Sequence, residues 1–232
     1  MSDALKKVAG IKHLPIFPLP LVMLPNELLP LHIFEDRYRQ MLKDVEKTGN
    51  FFGVVMFDSE ESFDQKPSTG TVGCVAEIRE SEMMPDGRSN ILTLGVVRFR
   101  LIDYFDAGEP YLVGDVEFFT DKKENAKKLN PLSDEVFDLF QRMAKAAFKM
   151  SGNRGTLPEI QRADPEGLSF LITAAFNFDN EKKYRLLKMT STIERLKELK
   201  EVLDTAVVRI EESAEIQTIS RSNGHTKKKI DL

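Results

Sequence analysis

The sequence predicts an α+β protein, in which a β-rich first half closes into a small β-barrel with one inserted helix and an α-helical bundle follows. Many short apolar segments separated by turn residues fill the first half, as in small barrels. Residues 121–130 are rich in Lys, Glu and Asn and mark a change of composition. Beyond them the apolar residues recur with the helical period, and the last helix is long.

The first strands are short and bounded by proline or turn residues. Residues 14–19 and 28–32 are too short and too rich in proline for helices, so they predict two strands. One helix follows at residues 35–47, where apolar side chains have helical spacing before a terminating glycine. Residues 51–57 form a compact apolar run that predicts a third strand, and the polar residues 58–68 predict a loop.

The clearest strand begins near residue 72. Alternate residues there are apolar, as a half-buried strand requires: Val72, Cys74, Ala76 and Ile78. The Pro-Asp-Gly-Arg sequence at residues 85–88 predicts a tight turn, because proline and glycine occupy the positions that favour them. It leads into a second long strand at residues 91–101, and a further strand is predicted at residues 111–119.

The second half contains the signals of helix starts. Ser133 is suited to cap the first helix, and the Asp-Pro-Glu sequence at residues 164–166 opens another with proline at its first position. A short helix is predicted at residues 181–188. Ser191 and Glu194 have the spacing of a capping box, which predicts the start of the last and longest helix.

These elements predict three regions along the chain. Residues 1–122 form a β-rich subdomain, and residues 123–217 form a helical subdomain. Residues 218–232 lack periodicity and predict a disordered tail. The apolar stripe of the last helix is compatible with a homo-oligomer, although packing on the chain's own bundle is the commoner arrangement.

Composition excludes several classes of protein. A net charge of −4 gives no global attraction to nucleic acid or to anionic lipid. The single cysteine, Cys74, excludes an intramolecular disulfide and a cysteine-based zinc site, and it fits the reducing cytoplasm. The apolar residues 14–24 are interrupted by prolines, so we expect folded structure there and neither a targeting signal nor a membrane span.

Motifs of catalysis are absent from the sequence. It contains no G-x-x-x-x-G-K-[ST] phosphate loop, no G-x-S-x-G nucleophile elbow and no G-x-G-x-x-G dinucleotide motif. Cys74 is expected to be a small buried hydrophobe, and His32, which lies between two apolar residues, is expected to be structural. The sequence therefore predicts a protein that is not an enzyme and has no catalytic, cofactor-binding or metal-binding residues.

One short basic feature favours an alternative. Arg98 and Arg100 lie on one face of a predicted strand with Phe99 between them, and such a pattern can contact RNA. An aromatic residue between two charged ones is more common in a strand with one face in the core than in an RNA-binding strand. The acidic pI of about 5.6 also disfavours a nucleic-acid partner.

The most specific pattern in the chain occupies residues 14–38. It has L-P-I-F-P-L at residues 14–19 and L-P-L-H-I-F-E-D-R-Y at residues 29–38. This pattern resembles the N-terminal substrate-binding domain of the Lon protease family, and weaker similarity extends over about residues 12–215. Asn26 stands where that family usually has glycine, and we expect the turn to persist because Asn tolerates a positive φ.

The resemblance implies a PUA-like β-barrel with a helical bundle behind it, and a role in holding protein substrates. The ATPase and peptidase modules of the protease do not follow in the sequence, so it does not imply proteolysis. We expect the chain to recognise unfolded or hydrophobic polypeptide segments for proteolysis or quality control, with a protease or a chaperone as a further partner and without a cofactor. An RNA-binding PUA-like protein is the alternative.

Exposed apolar side chains in loops are the expected peptide-binding surface, since methionine in particular adapts its shape to different partners. We expect the surface to include these five residues: Leu21, Met23, Leu24, Met83 and Met84. Phe17, Leu31 and Phe34 are expected to fill the barrel instead.

Overall fold

The computed structural model describes residues 2–58, 66–151, 156 and 159–223. Its helices and strands follow one another along the chain as α1 (Asp3–Lys7), β1 (His13–Leu19), β2 (Leu28–Ile33), α2 (Asp36–Thr48), β3 (Phe51–Met56), β4 (Val72–Met83), β5 (Ser89–Phe105), β6 (Leu112–Phe119), α3 (Ala126–Met150), α4 (Pro165–Ala175), α5 (Asn180–Lys188) and α6 (Thr192–Asn223). The predicted α+β class, with one helix inserted among the strands and a long last helix, is confirmed.

The chain divides into two compact units. The first unit comprises Met1–Lys122 and Phe170–Thr190, and the second comprises Lys123–Ser169 and Ser191–Leu232. The sequence analysis assigns residues 170–190 to the helical subdomain, whereas they belong to the unit that contains the strands.

In the first unit, five strands close a ring in the order β5-β4-β3-β1-β6, because β6 pairs with β5 as well as with β1. Strand β2 stands outside this ring, and among the described residues it pairs only with the first half of β5. β5 is therefore long enough to belong to the ring and also to carry an extra edge strand. The register of β5 against β6 shifts between Leu101 and Asp103. Such a shift marks a β-bulge, which lets a strand bend at a barrel corner.

Helix α2 begins and ends where its sequence predicts. Glu35 precedes its first residue in extended conformation, and Gly49 ends it in the left-handed region, with φ of 115°. The helix buries Met41, Leu42 and Val45 in a core shared with residues of β1, β3 and β4. One face of the sheet is covered in this way.

Residues 170–190 belong with the strands because they complete a further small core. Phe170 and Leu187 pack there with Val22, Leu24 and Val72. The main chain is also tied to the barrel, since the Lys122 amide donates to the Thr190 carbonyl at 2.9 Å. A sequence period cannot reveal such docking, because the apolar stripe of a helix is the same whichever surface it packs on.

The second unit is built on α3 and α6, and its first helix corrects one prediction. Helix α3 begins at Ala126 with Asn125 as its cap, so the predicted cap at Ser133 is wrong. Pro131 lies within the helix, and Ser133 is buried without a hydrogen-bond partner for its Oγ among the described residues. Asn125 prevails because its carboxamide accepts from the Lys127 amide at 2.9 Å one turn before the proline.

The start of α6 follows the predicted cap, with an additional acceptor. The Glu194 amide donates to Ser191 Oγ at 3.1 Å, and the Ile193 amide donates to the carboxylate of Glu124 at 2.9 Å. Helix α6 continues to Asn223, so residues 218–223 are helical and the predicted tail is wrong there; residues 224–232 lie outside the described residues. Residues 59–65 of the predicted polar loop also lie outside them.

Candidate functional site

The outer side of β2 is the candidate interaction surface of the first unit. Exposure alternates along this strand: Leu28 is 59% exposed, Pro30 and His32 are exposed, and Phe34, just beyond the strand, is 61% exposed. The residues between them face the opposite way, and Ile33 is fully buried. Soluble proteins rarely expose several large apolar side chains close together, and such a patch often marks an interaction surface.

Strand β5 widens this surface. Leu28 is the register partner of Leu94, and Pro30 is the partner of Leu92. Register partners in an antiparallel pair have their side chains on the same face of the sheet, and both of these β5 leucines are half-buried. We refer to Leu28, Pro30, Phe34, Leu92 and Leu94 together as the apolar face.

Polar contacts hold one end of the apolar face in place. His32 Nδ1 lies 2.7 Å from Oδ1 of Asn90, its register partner on β5. The ring of Phe34 stacks beside the His32 ring with 6.1 Å between centroids. His32 is thus a structural residue of this surface, as expected from its sequence context.

The turn before β2 determines where the strand starts. Asn26 has a φ of 65°, and its amide donates to the Gly95 carbonyl at 2.8 Å. A Cβ at Gly95 would lie 2.0 Å from the Leu24 carbonyl oxygen, so only glycine allows this approach of the turn to β5. The expectation that Asn26 preserves the turn is confirmed.

Glu27 stabilises the same turn from within. Its carboxylate accepts from the Leu24 amide at 2.8 Å. Burial raises the pKa of Glu27, and the Leu24 amide and the charge of Lys183 oppose that rise.

Strand β4 places carboxylates beside the apolar face. Glu80 is the register partner of Leu92, and Glu82 is the partner of Asn90, so both lie on the same side of the sheet as the apolar residues. Both glutamates are exposed, and the described residues include no cation paired with either of them. Glu77, further along β4, is already paired with Lys7 at 2.9 Å and with Arg79 at 3.3 Å.

The outer edge of β2 is less suited to pairing with another strand. The carbonyl groups of Glu27 and Leu29 accept hydrogen bonds from β5 residues, so the main-chain groups of Leu28, Pro30 and His32 point to the open edge. Pro30 lacks an N–H at the middle of that edge. Proline at an edge strand blunts strand addition, so the open face rather than the edge is the better contact surface.

Met83, one of the two methionines of the predicted binding surface, lies on the other side of the sheet. Met83 is 73% exposed, Met84 is half-buried, and Met83 shares a register row with the buried Ile33. Met83 lines a cleft of about 230 Å³ next to α2, together with Arg39, Leu42, Lys43, Ser81 and Ser89. The exposure of Met83 agrees with the sequence analysis, but Met83 does not lie on the apolar face.

The remaining predicted binding residues are not exposed. Met23 is 1% exposed within the core beneath α2, and Leu24 is fully buried beside Phe170 and Leu187. The expectation that they form a surface is therefore wrong. Leu21 is half-buried and packs against the same core as Met23. These loop residues are buried because partners distant in sequence, α2 and residues 170–190, cover them.

Phe34 is a second correction, in the opposite sense. It was expected to fill the barrel, yet it is one of the most exposed apolar residues, whereas Phe17 is buried as expected and Leu31 is partly buried against the same core. The sequence does hold a signal for the missed surface: every residue from 28 to 34 is apolar except His32. A strand that is apolar on both faces needs cover on both, and the described part of this unit covers only one.

The burial of Arg98 argues against an RNA-binding strand. Its side chain is 1% exposed and forms a buried ion pair with Asp121. Its Nη1 also donates to the carbonyls of Leu187 and Met189, at 3.0 and 2.5 Å. Arg100 is exposed, but it is bonded to the Gly70 carbonyl at 3.2 Å. The pair of arginines is thus not a basic surface.

Other kinds of site find no support in the described residues. No group of three or more His, Cys, Asp or Glu side chains there is arranged to hold a metal ion. Cys74 is fully buried, and burial raises the pKa of its thiol, which suits the expected role of a small core residue. No helix within the described ranges is long and apolar enough to cross a membrane.

Comparison with known proteins provides independent information. A sequence model of the family described as "ATP-dependent protease La (LON) substrate-binding domain" matches residues 13–205. The Lon protease of Flavobacterium johnsoniae is 27% identical over 212 residues, which cover 88% of this chain and 25% of that protein. The Lon protease of Cytophaga hutchinsonii is 26% identical over 215 residues, with 88% and 26% covered. The chain thus spans about a quarter of the length of these relatives.

Solved structures share the fold. A Lon N-terminal domain protein from Xanthomonas campestris superimposes with a TM-score of 0.59 and 22% identity, covering 82% of this chain and 98% of that one. The N-terminal domain of a Lon protease from the Mycobacterium avium complex has a TM-score of 0.62 and 17% identity, covering 83% and 98%.

Proposed function

Because the chain belongs to the family of Lon substrate-binding domains, we propose that it binds unfolded or hydrophobic polypeptide segments. The binding itself is non-catalytic, and the segments are held for proteolysis or quality control in the cytoplasm. A protease or a chaperone that receives the bound polypeptide is the further partner. No cofactor is required, since holding a segment needs contact surface and no bond is made or broken.

The observation that supports this function most directly is the apolar face. Leu28 and Phe34 are more than half exposed, and Leu28 pairs with Leu94, whose side chain is only partly covered. Removing apolar area from water contributes about 25 cal/mol per Å². A segment with several apolar side chains gains more from this surface than a folded protein, which has already buried its own.

A binding experiment with substituted surfaces tests the proposal. The test variant carries Leu28→Ser and Phe34→Ser, and the client is a carboxymethylated protein that remains unfolded without denaturant. We expect its affinity for the client, measured by fluorescence anisotropy, to fall about tenfold or more, since two large apolar contacts are lost.

The control variant carries Ile102→Ser and Phe105→Ser. These residues are 50% and 45% exposed on the later half of β5, and Phe105 stacks on His13 as Phe34 stacks on His32. The control removes a similar apolar area from the same unit and should bind the client like the wild type. Equal affinity for all three proteins, or equal loss in both variants, would contradict the assignment of binding to the apolar face.

A further inference from the structure

The outer surface of strands β2, β5 and β4 changes character across the sheet. β2 and β5 contribute the apolar face, and β4 contributes Glu80 and Glu82 in the same register rows. The row that joins Pro30, Leu92 and Glu80 runs from apolar to acidic within two strand spacings, each of about 4.8 Å. An apolar contact surface is thus bordered along one side by negative charge.

The two carboxylates are available for an incoming charge. Both side chains are exposed, and neither has an ion pair with another described residue. The neighbouring cations are engaged elsewhere: Arg79 pairs with Glu77, and Arg88 pairs with Asp86 at 2.6 Å in the hairpin turn. Glu77, Glu80 and Glu82 together face two cations, Lys7 and Arg79, so a net charge of −1 remains along β4.

We propose that this surface selects extended polypeptide segments in which apolar residues are flanked by lysine or arginine. The apolar residues of such a segment contact Leu92 and Leu94, and a basic side chain on one flank crosses one strand spacing to reach Glu80 or Glu82. Acidic segments of equal hydrophobicity are disfavoured by repulsion from the same carboxylates. This inference rests on the proposed function, and it adds the chemical class of the bound segment.

The preference has an expected size and an expected salt dependence. Exposed ion pairs are weak individually, so two of them favour a basic-flanked segment over a neutral one by roughly threefold to tenfold at low salt. Screening shortens the range of the interaction to about 8 Å at physiological ionic strength. We therefore expect the preference to shrink as salt is raised, while the affinity for neutral apolar segments stays nearly constant.

The test uses the full chain and three labelled peptides of equal length and identical apolar residues, flanked by lysine, serine or glutamate. Fluorescence anisotropy gives an affinity for each. We expect the order lysine, serine, glutamate for the wild type, and nearly equal affinities for a variant with Glu80→Gln and Glu82→Gln. A control with Glu201→Gln and Glu212→Gln, two exposed glutamates of α6, removes the same charge and should keep the wild-type order.

The outcomes separate this inference from the function on which it rests. If all three peptides bind the wild type equally, the charge selection is overturned and the polypeptide-binding function stands. If the two glutamine variants lose the preference equally, net charge and not β4 causes it, and the inference is also overturned. If none of the peptides binds, the proposed function fails together with the inference.

Discussion

Arg98 and Asp121 form an ion pair inside the first unit, with side chains that are 1% and 3% exposed. The guanidinium also bonds the carbonyls of Leu187 and Met189 and lies 4.7 Å from the centre of the Phe119 ring. A single β5 side chain thus joins the end of the barrel to the last residues of α5 and the residue after it. A charge without these partners would be costly to bury, so the arginine and its acceptors depend on one another.

Replacing Arg98 is expected to destabilise the protein strongly. In Arg98→Met the apolar stem is retained, but Asp121 and two carbonyl groups lose the guanidinium that binds them. Removing one partner of a buried pair costs about 3–5 kcal/mol, and urea denaturation followed by circular dichroism measures the loss. Arg100→Met, at the exposed neighbouring arginine, should change the free energy of unfolding by less than about 0.5 kcal/mol. Similar stabilities for the two variants would contradict the structural role of Arg98.

Gly95 is expected to be irreplaceable even by alanine. In Gly95→Ala the new Cβ meets the Leu24 carbonyl oxygen at 2.0 Å, so the main chain of the turn has to move. Overpacking of this kind costs about 1–3 kcal/mol, which thermal unfolding reports. Gly114→Ala is the matched control, because its Cβ approaches a terminal methyl carbon of the Leu101 side chain at 2.4 Å and no main-chain atom as closely. Gly114→Ala should lower the stability less than Gly95→Ala. An equal loss of stability would show that the main chain of the turn moves as easily as a side chain.

Glu27 gives the protein a small dependence of stability on pH. Its pKa is raised in the folded state, mainly by burial, so protonation favours folding. Its contribution is therefore fully present below the unfolded value of about 4.5 and is lost as pH rises through the folded pKa. We expect Glu27→Gln to lose this component, measured as the change in Tm between about pH 4 and about pH 7. A difference in Tm between variant and wild type that is constant across this range would contradict the raised pKa.

The methionines of the β4–β5 hairpin test the binding site that the sequence predicted. With Met83→Ser and Met84→Ser we expect about a twofold loss of affinity for an unfolded client, less than with Leu28→Ser and Phe34→Ser. The reason is that Met83 faces the cleft beside α2, whereas the apolar face lies on the other side of the sheet. A loss larger than that of the β2 variant would move the main binding surface to the cleft.

Much of the fold could be predicted because its signals are local. Gly49 ends α2 in a left-handed conformation, the tight turn at residues 85–88 joins two long strands, and Ser191 caps α6. Each depends on a few neighbouring residues whose conformational preferences agree with the fold. Ser133 shows the limit of such reasoning, since a good cap residue loses to an earlier one when the chain can start its helix there.

The candidate site could be predicted only in part. The sequence predicts a binding surface made of apolar residues near the start of the chain and in the β4–β5 hairpin, and that role stays a prediction. Which of them reach the surface did not follow, because Met23 and Phe34 are both apolar residues of the same proline-rich stretch. One is buried under α2 and the other is open to solvent.

The sequence by itself determined the α+β class, the positions of nearly all strands and helices, and the family to which the chain belongs. Only the tertiary structure decided that Arg98 is buried with Asp121, that residues 170–190 complete the core of the barrel unit, and that β2 exposes one apolar face. The physical reason is that secondary structure depends on neighbours within a few residues, whereas burial depends on neighbours that folding brings from far along the chain.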